Sequence, residues 1–373
     1  MNIGFDAKSA FYNYSGIGNY SRHTIKLLNH YYSENRYFLF SPGVKKSFHF
    51  INRNKVQIVT PSFIVGKIFK KIWRTRFCSR SIKRNKIHLF HGLSNELPVG
   101  IDKSMARSIV TIHDLTFMRY PDLYRPIDKE TFTNRFRYSC ENADKVIAVS
   151  QQTKNDITDY FNIASEKIKV VYQGCDPIYK RRYSEEEKKA IIEKYSLPST
   201  YILYVGTIEE RKNLLLIVQA LHEGNIDVPL VVVGKPTKYL QKVVAYISKN
   251  LLEHVYFLTD VPLNDLPAIY QTAHMFIYPS IFEGFGIPIL EAMNSHVPVI
   301  TSTGGCFVEA GADAPVYVNP FHVEEMIEAI RWVLKDEQKR QTMIEKGMEQ
   351  VNHFNDEVIV NNLYKTYQEV MQS

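Results

Sequence analysis

Glu283 and Glu291 give this sequence its clearest chemical signal, in the stretch Glu283-Gly-Phe-Gly-Ile-Pro-Ile-Leu-Glu291 followed by Ala292-Met293. The apolar run Met275–Tyr278 ahead of them reads as a buried strand that stops at Pro279-Ser280. The residues from Pro288 onward read as a helix. Strand, glycine loop and helix in that order are how open α/β sheets build a phosphate site. The helix start offers unpaired N–H groups and a partial positive charge. Gly284 and Gly286 allow close backbone approach to a ligand, and Pro288 suits a first helical turn. A carboxylate beside a diphosphate would be repelled by it, so the two glutamates are better aimed at the hydroxyls of a sugar or a ribose. The spacing by itself also fits a turn residue and a helix-dipole partner.

The motif resembles the Glu-x7-Glu signature of the retaining glycosyltransferases of family 4, which have the two-domain GT-B fold. Other stretches carry the same resemblance in the same order. Gly206-Thr-Ile-Glu-Glu-Arg-Lys-Asn213 follows the strand run Tyr201–Val205 and leads into a helix, with Asn213 as its expected N-cap. Arg211 and Lys212 thus stand at the carboxyl end of a strand, where a guanidinium can grip a phosphate in a fork and an ammonium adds a point charge. Ser15-Gly16-Ile17-Gly18 follows the first strand run, and Ser21 stands where a dinucleotide fingerprint would need its third glycine. His113-Asp-Leu115 ends the strand run Ile109–Ile112, and His91-Gly92 ends the run before it in the same way.

The resemblance implies a role for each. Glu291 holds the ribose hydroxyls of a nucleotide sugar, and Glu283 faces its sugar and diphosphate together with the amides of Phe285, Gly286 and Ile287. Arg211 and Lys212 stabilise the departing nucleoside diphosphate. Gly16 contacts donor phosphate and His113 contacts the donor sugar; His91, from its similar place at a strand end, is expected to line the acceptor pocket. The catalytic set is then Glu283, His113, Arg211 and Lys212. Transfer retains anomeric configuration, with no metal and no other cofactor. The sequence contains no Asp-x-Asp, which supports two cations doing the work of a divalent ion. The branch resembled most is that of bacterial mannosyltransferases that build surface polysaccharides, with GDP-mannose as the leading donor and a glycan or lipid-linked oligosaccharide as acceptor. The rival readings are a GT-B protein that only binds glycans or membranes, and another GT-B enzyme such as an epimerase or a phosphorylase.

These residues need elements to position them. The chain has 373 residues, enough for two ordinary cores. Apolar β-branched runs alternate with helical patterns, from Asn2–Phe5 to Lys169–Tyr172 and again from Tyr201–Val205 to Val316–Val318. Continuous apolar strands between helices imply parallel sheets covered on both faces. The expected fold class is α/β, of GT-B type: two doubly wound Rossmann-like domains facing a central cleft. The domains expected are 1–173 on the acceptor side and 174–354 binding the nucleotide sugar, with a helix over 355–373 returning to the first.

The totals exclude other classes. A hydrophobic content of 45% and a charged content of 23% suit a soluble globular chain. Four cysteines without a Cys-x-x-Cys pair argue against a zinc site and a disulfide framework. No signal peptide or spanning segment is expected, which fits a cytoplasmic protein. The net charge of +7 is local: residues 41–90 hold 13 Lys and Arg and no acid, while the remainder holds 33 basic and 39 acidic side chains. Within that stretch Phe63–Arg80 scans as an amphipathic helix, and Lys67, Lys70, Lys71, Trp73 and Arg74 suit an anionic membrane surface. Peripheral attachment at the inner face of the cytoplasmic membrane is therefore expected, and no nucleic-acid partner.

Overall fold

The computed structural model describes residues 1–44, 56–61 and 78–373. The chain divides into two compact units, one made of Met1–Gln173 with Asn355–Ser373 and the other of Gly174–Phe354. Each is a Rossmann-like sheet covered by helices, so the α/β expectation holds.

The first unit contains β1 (Asn2–Asp6), β2 (Arg36–Phe40), β3 (Val56–Val59), β4 (Leu89–Gly92), β5 (Arg107–Ile112), β6 (Lys145–Ala148) and β7 (Ile168–Val170). Among the described residues they pair in parallel in the order β3-β2-β1-β4-β5-β6-β7. The order reverses direction between β1 and β4, where open α/β sheets bind ligands. Apolar layers cover both faces. One holds Phe38, Phe90, Val110 and Ile157. The other holds Ile3, Phe5, Leu39 and Ile109 together with Val360, Leu363, Tyr364 and Tyr367.

Those last four belong to the helix Asp356–Gln372, which explains why the tail belongs to this unit. Its buried residues Ile359, Val360, Leu363, Tyr364, Tyr367 and Val370 recur at helical spacing and form one apolar stripe. Asn355 starts the helix by accepting from the Val358 N–H at 2.9 Å.

The second unit contains β8 (Ile202–Val205), β9 (Leu230–Val233), β10 (Val255–Leu258), β11 (Met275–Tyr278), β12 (Val299–Ser302) and β13 (Val316–Val318), all parallel. Their order is β10-β9-β8-β11-β12-β13, with the reversal between β8 and β11. The strand sequences Ile-Leu-Tyr-Val, Leu-Val-Val-Val and Met-Phe-Ile-Tyr are buried throughout, as strands covered on both faces must be. The helix Glu185–Tyr195 opens the unit with a complete capping box between Ser184 and Glu187.

Candidate active site

The loops after β8 and β11 flank the reversal point of the second sheet, and they carry Arg211, Lys212 and Glu283. The β8 loop turns at Gly206, whose φ of +153° few side chains tolerate. A Cβ there would lie 3.1 Å from the Lys212 side chain, so the bare glycine lets that chain cross its face. Arg211 and Lys212 occupy the short 3-10 turn Glu210–Lys212. The Arg211 carbonyl then accepts from the Ile281 N–H at 2.8 Å and from Ser280 Oγ at 3.2 Å, which stitches the two loops together. Asn213 stands at the expected helix start, but its φ is +56° and its amide donates to the Pro320 carbonyl at 2.7 Å. It ties the loop to the segment after β13 and does not cap the helix.

At the centre is one oxygen of Glu283. Oε1 lies 2.7 Å from Arg211 Nη1, 3.3 Å from Lys212 Nζ, 2.7 Å from the Tyr278 hydroxyl and 2.8 Å from Ser280 Oγ. Lys212 Nζ also donates to the Tyr278 hydroxyl at 2.7 Å. Arg211 Nη2 pairs with Glu209 at 2.7 Å, and Nη1 also donates to the Phe282 carbonyl. Two cations and two carboxylates therefore balance. Burial pushes the Glu283 carboxyl up, but Arg211 and Lys212 outweigh it and hold the group down to about 2.

Glu291 meets the opposite environment. It accepts from the Tyr270 hydroxyl at 3.1 Å and from the Tyr179 hydroxyl. Burial dominates, the phenols offset it only in part, and the carboxyl is pushed up to about 7. Between the glutamates, Gly286 takes φ +106° at the start of the helix Ile287–Asn294, which no side chain caps. The Phe285 ring is buried, 5.4 Å from that of Phe354, so this residue offers a ligand only its backbone.

The first unit builds its candidate residues differently. Gly16 begins the helix Gly16–Tyr31. A Cβ on Gly16 would meet nothing within 4 Å, whereas one on Gly18 would lie 1.9 Å from the Asn13 carbonyl oxygen. Gly18 therefore serves packing, and Gly16 has an open face. His113 is 6% exposed. Its Nε2 lies 2.9 Å from the Leu93 carbonyl, its Nδ1 lies 3.2 Å from the Gln173 amide, and its ring meets Tyr20 edge-on at 4.7 Å. The carbonyl requires a proton on Nε2, which leaves Nδ1 as the acceptor and the ring neutral. A ligand reaching Nδ1 would have to displace Gln173.

His91 does not line an acceptor pocket. It is wholly buried, 2.6 Å from the Tyr367 hydroxyl through Nδ1 and 2.8 Å from Thr111 Oγ1 through Nε2. Burial lowers its pKa to about 3. Thr111 passes the chain on to the Tyr20 hydroxyl at 3.0 Å. The strand-end position suggests a crevice residue, but the C-terminal helix covers it with Tyr367.

Lys67, Lys70, Lys71, Trp73 and Arg74 lie outside the described residues. Among the described residues no helix is long and apolar enough to cross a membrane. No group of three or more His, Cys, Asp or Glu among them stands close enough to hold a metal ion. All four cysteines are buried. Sequence reasoning missed Glu209, Tyr278, Ser280, Tyr179 and Tyr270. Tyr278 ends an apolar run and reads as core. The other four carry no motif, although Glu209 and Ser280 lie within the two loops singled out.

Two Rossmann-like units, one with a Glu–Arg–Lys cluster at its reversal point, have the build of a GT-B glycosyltransferase. Residues 15–178 match the family described as Glycosyltransferase Family 4, and residues 185–350 match Glycosyl transferases group 1. O-antigen chain mannosyltransferase B of Escherichia coli is 30% identical over 281 residues, covering 74% of this chain and 72% of that one. O-antigen chain mannosyltransferase RfbU of Salmonella typhimurium is 33% identical over 214 residues, 57% of this chain and 56% of that one. Sucrose-phosphate synthase of Thermosynechococcus elongatus has the same fold, with a TM-score of 0.80 at 20% identity over 100% of this chain and 99% of that one. So does Anabaena HepE in complex with UDP and glucose, with a TM-score of 0.78 at 18% identity over 99% and 100%. The chain belongs to glycosyltransferase family 4.

Proposed function

We propose that this glycosyltransferase moves mannose from GDP-mannose to a glycan or lipid-linked oligosaccharide during surface-polysaccharide synthesis, with retention and without a metal ion. The observation that carries the reading is the cluster of Glu283, Arg211 and Lys212 at the reversal point of the second sheet. The mannose assignment draws on the names of the two O-antigen relatives.

In this reading the bond from the sugar's anomeric carbon to the diphosphate oxygen breaks first, and negative charge grows on the leaving diphosphate. Arg211 and Lys212 meet that charge, already in place and partly shielded from water, where fixed charges act most strongly. The acceptor hydroxyl attacks from the face the diphosphate is leaving. Its proton passes to a phosphate oxygen of the departing group, so no enzyme base is required. Glu283 Oε2 accepts from a sugar hydroxyl while Oε1 stays tied to the protein. Glu291 holds the ribose hydroxyls, and the backbone at Phe285, Gly286 and Ile287 faces the diphosphate. We assign a phosphate contact to Gly16 and a sugar contact to His113. Attachment to the inner face of the cytoplasmic membrane through Lys67, Lys70, Lys71, Trp73 and Arg74 rests on the charge pattern of the sequence. Vesicle flotation of a variant neutralised at the four cations tests it.

The decisive experiment is thermal stabilisation by a panel of nucleotides and nucleotide sugars in chelator, followed by turnover with each donor that binds. Ligand bound only to the folded state raises its stability. A larger shift with GDP than with GMP, abolished in Glu291→Ala and Arg211→Ala, is the expected result. A shift with UDP alone would replace the donor. No shift with any nucleotide would leave the binding-protein reading in its place.

A further inference from the structure

We propose that Tyr278 is a positioning residue for the transfer step: its hydroxyl holds the Lys212 ammonium off Glu283 and pins Glu283 with one oxygen turned inward. This rests on the function proposed above.

The direction of the hydrogen bonds is fixed by chemistry. An ammonium can only donate, so Lys212 Nζ gives a proton to the Tyr278 oxygen at 2.7 Å. The phenol proton is then free to go to Glu283 Oε1, also at 2.7 Å. The direct ion pair between Lys212 and Glu283 is longer, at 3.3 Å. The phenol thus stands between the two charges and keeps the ammonium from closing fully onto the carboxylate. A lysine stem is flexible, and without the hydroxyl the pair would collapse. An ammonium drawn onto Glu283 would be poorly placed for a leaving diphosphate.

The hydroxyl is itself well held. Tyr278 is the last residue of β11 and is 1% exposed. Its carbonyl accepts from Thr301 Oγ1 at 2.8 Å, and its ring stacks on Phe276 with centroids 5.9 Å apart. The Lys212 ammonium also lies 5.0 Å from the centre of that ring. Arg211, Lys212 and Ser280 reach Glu283 from loops, whereas Tyr278 reaches it from the sheet. All four converge on Oε1, and among the described residues none bonds Oε2. That asymmetry leaves Oε2 for a ligand hydroxyl.

The test is steady-state kinetics of Tyr278→Phe, which removes one oxygen from an apolar wall, with whichever donor the nucleotide panel selects. We expect kcat to fall roughly 10- to 100-fold while the donor KM and the thermal shift with nucleoside diphosphate stay within about threefold of wild type. In a Lys212→Ala background the same change should cost little more, because residues that act through one another are not additive. Unchanged kcat, an equal loss in both backgrounds, or a loss of nucleotide binding that tracks the loss of turnover would each overturn the proposal. If Tyr278→Phe does not fold, para-aminophenylalanine at position 278 can still donate to Glu283 but hardly accepts from Lys212, and an unchanged kcat there overturns it as well. Wild-type protein that turns over no nucleotide sugar would sink the proposed function itself, an outcome distinct from any of these.

Discussion

The two units arm their sheet edges by opposite means. In the second, four charged side chains share contacts over the reversal point, and Glu209 and Glu283 balance Arg211 and Lys212. In the first, a chain of uncharged side chains runs beside the reversal point: Tyr367, His91, Thr111 and Tyr20 form a buried hydrogen-bonded line with His113 beside its end, and the buried Asp6 closes the neighbouring strand β1. The difference teaches what each place can do. A charged cluster can answer charge that grows during a reaction, but only if each ion has a partner in the empty protein. A neutral chain fixes shape and donor–acceptor direction without such a requirement. It suits the recognition of hydroxyls and the holding of a backbone.

The contrast can be broken most forcefully at its charged end. Glu283→Ala leaves Arg211 with Glu209 alone and takes the carboxylate from Lys212, and turnover should drop by roughly 10³-fold with a stability loss of about 3 kcal/mol in denaturant titration. A variant as stable as wild type would mean that charge balance does not hold these loops. Arg211→Ala should cut turnover by about 10²-fold, read in the same assay. Near-normal turnover removes it from the mechanism. At the neutral end, Tyr367→Phe should cost about 1–3 kcal/mol, since it strips a buried histidine nitrogen of its partner. Its donor KM should barely move, and a KM change of tenfold or more would show that the neutral chain does more than hold shape.

The smallest expected effect separates the two glutamates by pH. The Glu283 carboxyl is held down to about 2, so it contributes stability that is present above about 4.5 and is lost as pH falls toward 2. The Glu291 carboxyl is pushed up to about 7, so the folded protein keeps its proton longer than the unfolded chain does. Stability should therefore decline as pH rises from about 4.5 to 7 and then level off. Glu291→Gln should flatten that upper slope in melting curves across the range, while Glu283→Gln should flatten only the acid limb. The same slope in both variants would contradict the assignment.

How much of this was readable beforehand depended on how local the signal was. The strands of both sheets announce themselves as apolar runs because they are buried on two faces, and each run needs only its own residues to be seen. Glu283, Arg211 and Lys212 could be singled out because the family resemblance puts them in two loops at strand ends, and the structure brings the three side chains together. Tyr278 was not, since an aromatic closing an apolar strand looks like core until the strand order places it at the reversal point. His91 was misread because its cover, Tyr367, lies 276 residues away along the chain. Asn213 has the right residue type for a cap, but its left-handed backbone and its bond to Pro320 depend on a loop more than 100 residues further on.

The return of Asn355–Ser373 to the first unit also sets a timetable for synthesis. The second unit is one continuous stretch and can complete its core as soon as Phe354 has emerged from the ribosome. The first unit begins earlier yet must wait, because Val360, Leu363 and Tyr367 are made only after the whole second unit. Throughout that interval the apolar face around Ile3, Phe5 and Leu39 lacks part of its cover, a period in which a nascent chain is exposed to aggregation and to chaperones. A stalled chain ending before residue 355 should carry a folded second unit beside a first unit that is still open to protease.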